Sequence, residues 1–307
     1  MLKKIYGKLR EYAIKCYIPM PWGSEEWSIG IYKGKSPIKL DSNSIKNPLI
    51  TRHDITDVNA EFVADPFMIQ KDGTWYMFFE IMNYSNKGVI GMATSKDALK
   101  WSYKKVVLEE KFHLSYPYVF LWEGIYYMIP ECCQSGSVNM YMSKNFPYDW
   151  VLVKKLIIGN YVDSSIFRYK KLWWLFTSDE DTHSLLLFYS TSLMGSWKSH
   201  KLNPIVKNDI SKYRCAGRVI IDNGKILRFS QESVKDYGES VCPKIIKKLN
   251  KNEYVEESMP DTKYVITKSG IGWNKTGMHN IDAHKTKDGW IACVDGYKWH
   301  IIISNKK

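Results

Sequence analysis

Ile69-Gln70-Lys71-Asp72-Gly73-Thr74-Trp75-Tyr76-Met77-Phe78-Phe79 joins a short apolar run, a tight polar turn and an aromatic run. Four further turns repeat the arrangement: Glu123-Gly124, Tyr169-Lys170-Lys171, Asp222-Asn223-Gly224 and Lys287-Asp288-Gly289. Their spacing is roughly 50 residues, stretching to about 65 before the last, which is the period of propeller blades built from short strands. In the first three units the second apolar segment, Trp75–Phe79, Tyr126–Ile129 or Trp173–Phe176, leads to a third, Val89–Ala93, Val138–Met142 or Leu185–Tyr189. Each unit then reaches a tryptophan at matching distance, Trp101, Trp150 or Trp197. Strands of about five residues rich in Val, Ile, Tyr, Phe and Trp, bounded by Gly, Asn and Asp, predict four-stranded antiparallel blades.

The fold expected is therefore all-β, a five-bladed β-propeller. Its fourth blade runs from Val219 to about Glu257 and its fifth from Ile281 to the C-terminus. The last unit has room for three strands, ending in Trp299–Ser304, and a fourth from the N-terminus, about residues 27–33, would close the ring and remove the open sheet edge. Two segments are expected: a basic amphipathic helix over residues 1–20 and a single propeller domain over 21–307. The helix rests on Leu2, Ile5, Leu9, Tyr12, Ala13 and Cys16 at helical spacing, with Lys3, Lys4, Lys8, Arg10 and Lys15 between them.

The bulk composition narrows the setting. At 307 residues and 45% hydrophobic content, the chain can bury a large core. It has no run of about 18 apolar residues that would span a membrane, and its first residues lack the apolar centre of a secretory signal, so a cytoplasmic protein is expected. The six cysteines form no CxxC pair and no metal-ligand spacing, which predicts reduced thiols and no metal or other cofactor. A net charge of +12 favours anionic partners. Without a recognised nucleic-acid motif, those are a sugar phosphate and an anionic membrane surface, on which the basic helix would lie.

The starts of the presumed inner strands converge near one end of the central channel. They read Ala64-Asp65-Pro66-Phe67, Ser115-Tyr116-Pro117-Tyr118, Val162-Asp163-Ser164-Ser165, Arg214-Cys215-Ala216-Gly217-Arg218 and Asn280-Ile281-Asp282-Ala283-His284. Asp65 and Asp163 in register form a carboxylate pair, one member a base and the other tuning it. The second strands end in Glu80, Glu131, Ser178, Gln231 and Asp295. The expected catalytic residues are Asp65, Asp163 and Glu131. The expected substrate-binding residues are Arg214, Arg218, His113, Tyr116, Glu80, Gln231, Asp282 and His284.

Ala64-Asp65-Pro66-Phe67, Gly88–Ser95, Asp97 with Trp101, and Asp163–Phe167 resemble the five-bladed propellers of glycoside hydrolase family 43. A closer resemblance runs through His113–Phe120, Ile129-Pro130-Glu131, Phe146-Pro147, Gly195-Ser196-Trp197, Asn203-Pro204, Arg214–Gly217 and Arg228 with Gln231. These residues are similar to the N-terminal propeller domain of plant glucosamine inositolphosphorylceramide transferases, whose relatives occur in bacterial surface-polysaccharide assembly. The hydrolase resemblance implies Asp65 as base and Asp163 as its pKa modulator. It fails at the general acid, because the fourth-blade Glu-Gly of those hydrolases is replaced here by Ala216-Gly217, flanked by Arg214 and Arg218.

A phosphate leaving group departs without a proton and is held well by arginine, whereas an alkoxide needs a donor that contributes about 10²–10⁴-fold. The expected function is thus glycosyl transfer in cell-surface glycan assembly, from a nucleotide- or lipid-linked phosphate donor to a glycan hydroxyl. Two alternatives stand beside it: family 43-like hydrolysis with Glu131 or Glu80 as acid, and a non-catalytic glycan-binding propeller. The chain's end at Lys307 without a second domain favours an activity of its own.

Overall fold

The computed structural model describes residues 21–303, with side chains described from 24 to 299; the helix expected over residues 1–20 lies outside the described residues. Five antiparallel sheets make five blades. The first blade comprises Ala60–Lys71, Thr74–Asn83, Gly88–Ser95 and Ser102–Leu108, and the second Ser115–Trp122, Ile125–Glu131, Ser137–Asn145 and Tyr148–Ile158. The third comprises Val162–Tyr169, Leu172–Asp179, Ser184–Ser190 and Lys198–Ser199. The fourth comprises Ile220–Asp222, Lys225–Glu232, Ser240–Leu249 and Tyr254–Ser258, with Ile266–Thr267 also paired to its third strand. Among the described residues no helix is long and apolar enough to cross a membrane.

The turns explain why these segments fold back at once. Asp72 and Gly73, Glu123 and Gly124, Lys170 and Lys171, and Asn223 and Gly224 all have positive φ. Paired positive φ values define the turn whose twist matches that of the strands it joins.

The fifth blade departs from expectation. Only two of its strands are C-terminal, Ile281–Thr286 and Gly289–Ile303, and two come from the N-terminal side, Pro21–Ser36 and Lys39–Asp41. Gly289–Ile303 pairs with Pro21–Ser36 in unbroken register from Pro21 opposite Ile303 to Gly34 opposite Trp290. Asp295-Gly296, turn-like in sequence, lies inside that strand. A side chain at Gly296 would come within 2.6 Å of the Asn274 Cβ, so this glycine permits a close approach of neighbouring chain instead of a reversal.

Aromatic contacts bridge neighbouring blades: Phe78 on Trp150, Phe120 on Trp173 and Phe176 on Tyr254, with ring centroids 5.6, 6.1 and 5.9 Å apart. Pairs of this kind contribute about 0.5–1.5 kcal/mol each beyond the area they bury. Polar contacts link the inner strands around the axis. Tyr116 N donates to Asp65 Oδ2, the Tyr116 hydroxyl meets Ser165 Oγ, Ser165 Oγ donates to Gly217 O, Ile281 N donates to Ala216 O, and Met68 N donates to Asp282 Oδ2.

Candidate active site

Three inner strands share one distortion at the same position. Their register slips between Ala64 and Phe67, between Ser115 and Tyr118, and between Val162 and Ser165. The residue inside each slip is left-handed: Asp65 at φ 51°, Tyr116 at φ 45° and Asp163 at φ 49°. Such a backbone costs a non-glycine residue on the order of 1–2 kcal/mol, so neighbouring bonds must hold it. Asp65 is held by its own N–H, which donates to Asp295 Oδ2 at 3.0 Å, and by Tyr116 N donating to its Oδ2 at 3.2 Å.

The bulge places Asp65 on a cavity of about 260 Å³ that also takes in Glu80, Glu131, His113 and Arg214. Five of the expected site residues thus share one cavity. His279, Trp27 and Tyr237, which the sequence reading did not select, line it as well.

One wall is a buried chain of acid, base and acid. His279 Nδ1 lies 2.7 Å from Asp295 Oδ2, and its Nε2 lies 3.6 Å from Asp65 Oδ1. The imidazole stacks on Trp27 with ring centroids 4.1 Å apart, which fixes its plane. Asp295 Oδ1 accepts the N–H groups of His279 and Asn280 at 3.0 and 2.9 Å. Ligand-type atoms of Asp65, His279 and Asp295 lie within 4.8 Å of one another. Backbone N–H donors already engage both Asp295 oxygens, so the trio is poorly suited to a cation cage.

The electrostatics of this wall suit a base. Burial pushes the Asp65 carboxyl up, Asp163 and Asp295 add to the rise, and His279 and Arg214 oppose it, leaving it raised to about 7. Burial alone would lower the His279 imidazole, but Asp295 and Asp65 outweigh it and hold it above its ordinary value.

On the facing wall, His113 Nδ1 accepts the Gly88 N–H at 2.9 Å, which leaves the proton of the neutral ring on Nε2. That nitrogen lies 3.4 Å from Glu80 Oε1 and 3.9 Å from Glu131 Oε2. Burial, then the negative charges of Asp65 and Glu131, raise the Glu80 carboxyl well above the usual range. Glu131 is fixed by Ser115 Oγ at 3.1 Å and Cys133 N at 2.9 Å.

Arg214 lines the cavity with its charge already engaged. Its Nε donates to Asp163 Oδ2, its Nη1 donates to Glu180 Oε2 at 2.9 Å, and its guanidinium lies 5.2 Å from the Tyr237 ring centre. Asp163 is 2% exposed behind this arginine. Burial is the main reason its carboxyl is raised, and Arg214 works against that rise. Gln231 donates to Cys215 O at 3.2 Å and, more weakly, to Asp163 Oδ2 at 3.4 Å. Tyr116 is fully buried, and its hydroxyl accepts the Gly217 N–H at 2.6 Å, which makes it a fastener beneath the cavity.

Arg218, Asp282 and His284 stand apart from this cavity. Arg218 Nε donates to Asp282 Oδ1 at 2.6 Å and its Nη2 donates to Val119 O at 2.9 Å, while His284 Nε2 lies 2.9 Å from Asp282 Oδ2. The sequence grouped Asp282, at the start of its inner strand, with the residues of the same pocket. Met68 N donates to Asp282 and Asn280 Nδ2 donates to Pro66 O, an offset of 214 residues in both cases. His279 therefore stands opposite Asp65, and Asp282 lies three residues deeper. The reason is the bulge: the inner strands of the first three blades carry it, whereas Ile281–Thr286 pairs from its first residue.

Residues 21–297 match the family described as glucosamine inositolphosphorylceramide transferase 1, N-terminal. A protein of Oryza sativa subsp. japonica named glucosamine inositolphosphorylceramide transferase 1 is 37% identical over 302 residues, covering 90% of this chain and 41% of that protein. Its Arabidopsis thaliana namesake is 34% identical over 295 residues, covering 88% and 39%. The chain thus spans about two fifths of the length of these curated relatives. Among solved structures, the family 117 glycoside hydrolase Zg3597 of Zobellia galactanivorans is 14% identical with a TM-score of 0.52, covering 89% of this chain and 90% of that one. An exo-1,5-alpha-L-arabinanase from a bovine ruminal metagenomic library is 17% identical with a TM-score of 0.54, covering 82% and 96%. At those identities the solved structures share the fold alone. The family match extends from the first described strand to Tyr297, and the chain belongs to the N-terminal glucosamine inositolphosphorylceramide transferase 1 family.

Proposed function

We propose that the axial pocket performs acid–base chemistry on a sugar hydroxyl, transferring a sugar from a phosphate-activated donor to a glycan acceptor in glycan assembly. One observation carries this reading: Asp65 sits on the cavity in a strained bulge, raised to about 7 and backed by His279 and Asp295. A carboxylate with that proton affinity takes the acceptor hydroxyl's proton as the new bond forms, and the His279 ring beside it favours the charge it carries beforehand. The donor's phosphate needs no proton to depart, and Arg214, which lines the cavity while paired with Asp163 and Glu180, would add positive charge beside it. The transferase names of the relatives support transfer, and the basic pattern between residues 2 and 17 supports work at the inner face of an anionic membrane, where a lipid-linked donor would be presented.

The test is an assay of the full chain with nucleotide sugars and polyprenyl-phosphate sugars in the presence of oligosaccharide acceptors. Transfer that requires a donor and disappears in Asp65→Asn supports the reading. A second reading, hydrolysis, is favoured by Glu80, which lines the same cavity with its carboxyl raised by burial and could serve as the acid. Release of reducing sugar from an oligosaccharide without any donor, lost in Glu80→Gln, would establish hydrolysis in place of transfer.

A further inference from the structure

A second cavity of about 690 Å³ lies between the first and fifth blades, within the size range of small-ligand sites. Its walls are the far ends of strands whose near ends build the axial pocket. Asp65 lies five residues before Gln70 on Ala60–Lys71, and Gln70 reaches this second cavity. The two cavities therefore open on opposite faces of the ring.

The chemistry of the second cavity is the reverse of the first. Lys33, Lys35, Lys96, Lys285 and Lys287 line it, against Asp41, Asp97 and Asp288. Asp97 is exposed, but its Oδ1 is engaged locally: it accepts the N–H groups of Leu99 and Lys100, both at 2.8 Å, and the Ser95 hydroxyl. Lys285 is partly used by Asp222 at 3.0 Å, and Lys96 donates to Thr74 Oγ1 at 2.6 Å. Lys33, Lys35 and Lys287 are exposed and make no side-chain hydrogen bond or ion pair to another described residue. Trp75 and Trp290 border it with only their edges showing, each 7% exposed, and Lys285 Nζ lies 5.9 Å from the Trp290 ring centre.

From this arrangement we propose that the cleft between the first and fifth blades binds an anionic saccharide. Lys33, Lys35 and Lys287 take its carboxylate or phosphate groups, and the concave wall between the blades, edged by Trp75 and Trp290, receives the body of the sugar chain. A concave site lined by lysines fits a saccharide and excludes the flat surface of a bilayer. Ammonium groups on flexible stems meet charges at variable spacing along a sugar chain, and they leave neutral sugars unbound. This site does not depend on the acid–base reading of the axial pocket.

The test is direct binding to the full chain, followed by tryptophan fluorescence and calorimetry. The ligands are oligogalacturonate for the carboxylate source, a hexose bisphosphate for the phosphate source, a neutral oligosaccharide and a single-stranded oligonucleotide. At least one anionic saccharide should bind, weaken with added salt, and lose tenfold or more in affinity in the triple variant Lys33→Ala, Lys35→Ala, Lys287→Ala. These are exposed side chains, so the melting temperature of that variant should match wild type. Asp65→Asn should bind as wild type does, which separates a failure here from a failure of the pocket's chemistry. The proposal is overturned if neither anionic saccharide binds, if the neutral sugar binds equally well, if the triple variant keeps its affinity, or if the oligonucleotide outcompetes both saccharides.

Discussion

Asp65 and Asp282 are both buried carboxylates at the axis, on inner strands of neighbouring blades, and their surroundings drive them in opposite directions. Asp282 meets Arg218, the Met68 N–H and His284 in a closed network that outweighs its burial and holds its carboxyl below the usual range. Asp65 has one imidazole at 3.6 Å and other acids nearby, and it is raised to about 7. Residue type and burial are nearly the same, so partners and place along the axis decide the role. A fully paired acid holds the ring together, and a poorly paired one at a cavity can exchange protons.

The largest expected effect separates the two in activity. Asp65→Asn should lower transfer by about 10²–10⁴-fold with little change in melting temperature, because the amide keeps the shape and loses the base. Near wild-type turnover in that variant would remove Asp65 from the chemistry. The converse holds for stability. Arg218→Ala leaves Asp282 charged and buried, and should cost about 3–5 kcal/mol in denaturant unfolding. A loss below about 1 kcal/mol would show that the Arg218–Asp282 network is dispensable.

The pH dependence sharpens the contrast. A carboxyl raised in the folded state binds more protons there than in the unfolded chain, so it makes stability fall as pH rises from about 4 to 7. Asp65 should contribute up to about 1.4 kcal/mol per pH unit to that fall, and Glu80 acts with the same sign. Asp65→Asn should reduce the slope by roughly one proton; an unchanged slope would mean that Asp65 is ionised throughout. Asp282, with its carboxyl held low, contributes stability that is present above about pH 4 and lost in acid. The smallest effect concerns His279. His279→Gln removes the positive charge that holds Asp65 down, so the acidic limb of the rate profile should move to higher pH. A limb that stayed in place would reduce His279 to packing against Trp27.

Much of this was legible in the sequence, and the failures have a physical cause. The five turns located the blades because paired left-handed residues at strand reversals favour Gly, Asn and Asp. Asp65, Glu80, Glu131, His113 and Arg214 were found because strand ends of a repeat converge. The bulge at Asp65, Tyr116 and Asp163 left no compositional mark, so Asp282 was grouped with the pocket and His279 was passed over. A signal was available: His279 stands two residues before Ile281 as His113 stands two before Ser115, at the mouths of two inner strands. Arg218 looked like a phosphate ligand because its partner Asp282 reaches it only through the folded ring.

The central claim is that Asp65 exchanges protons near neutrality, and a carbon-13 NMR titration of its side-chain carboxyl, assigned with Asp65→Asn, measures it directly. A midpoint near 7 is expected. A midpoint below about 5, close to an ordinary aspartate, would contradict it.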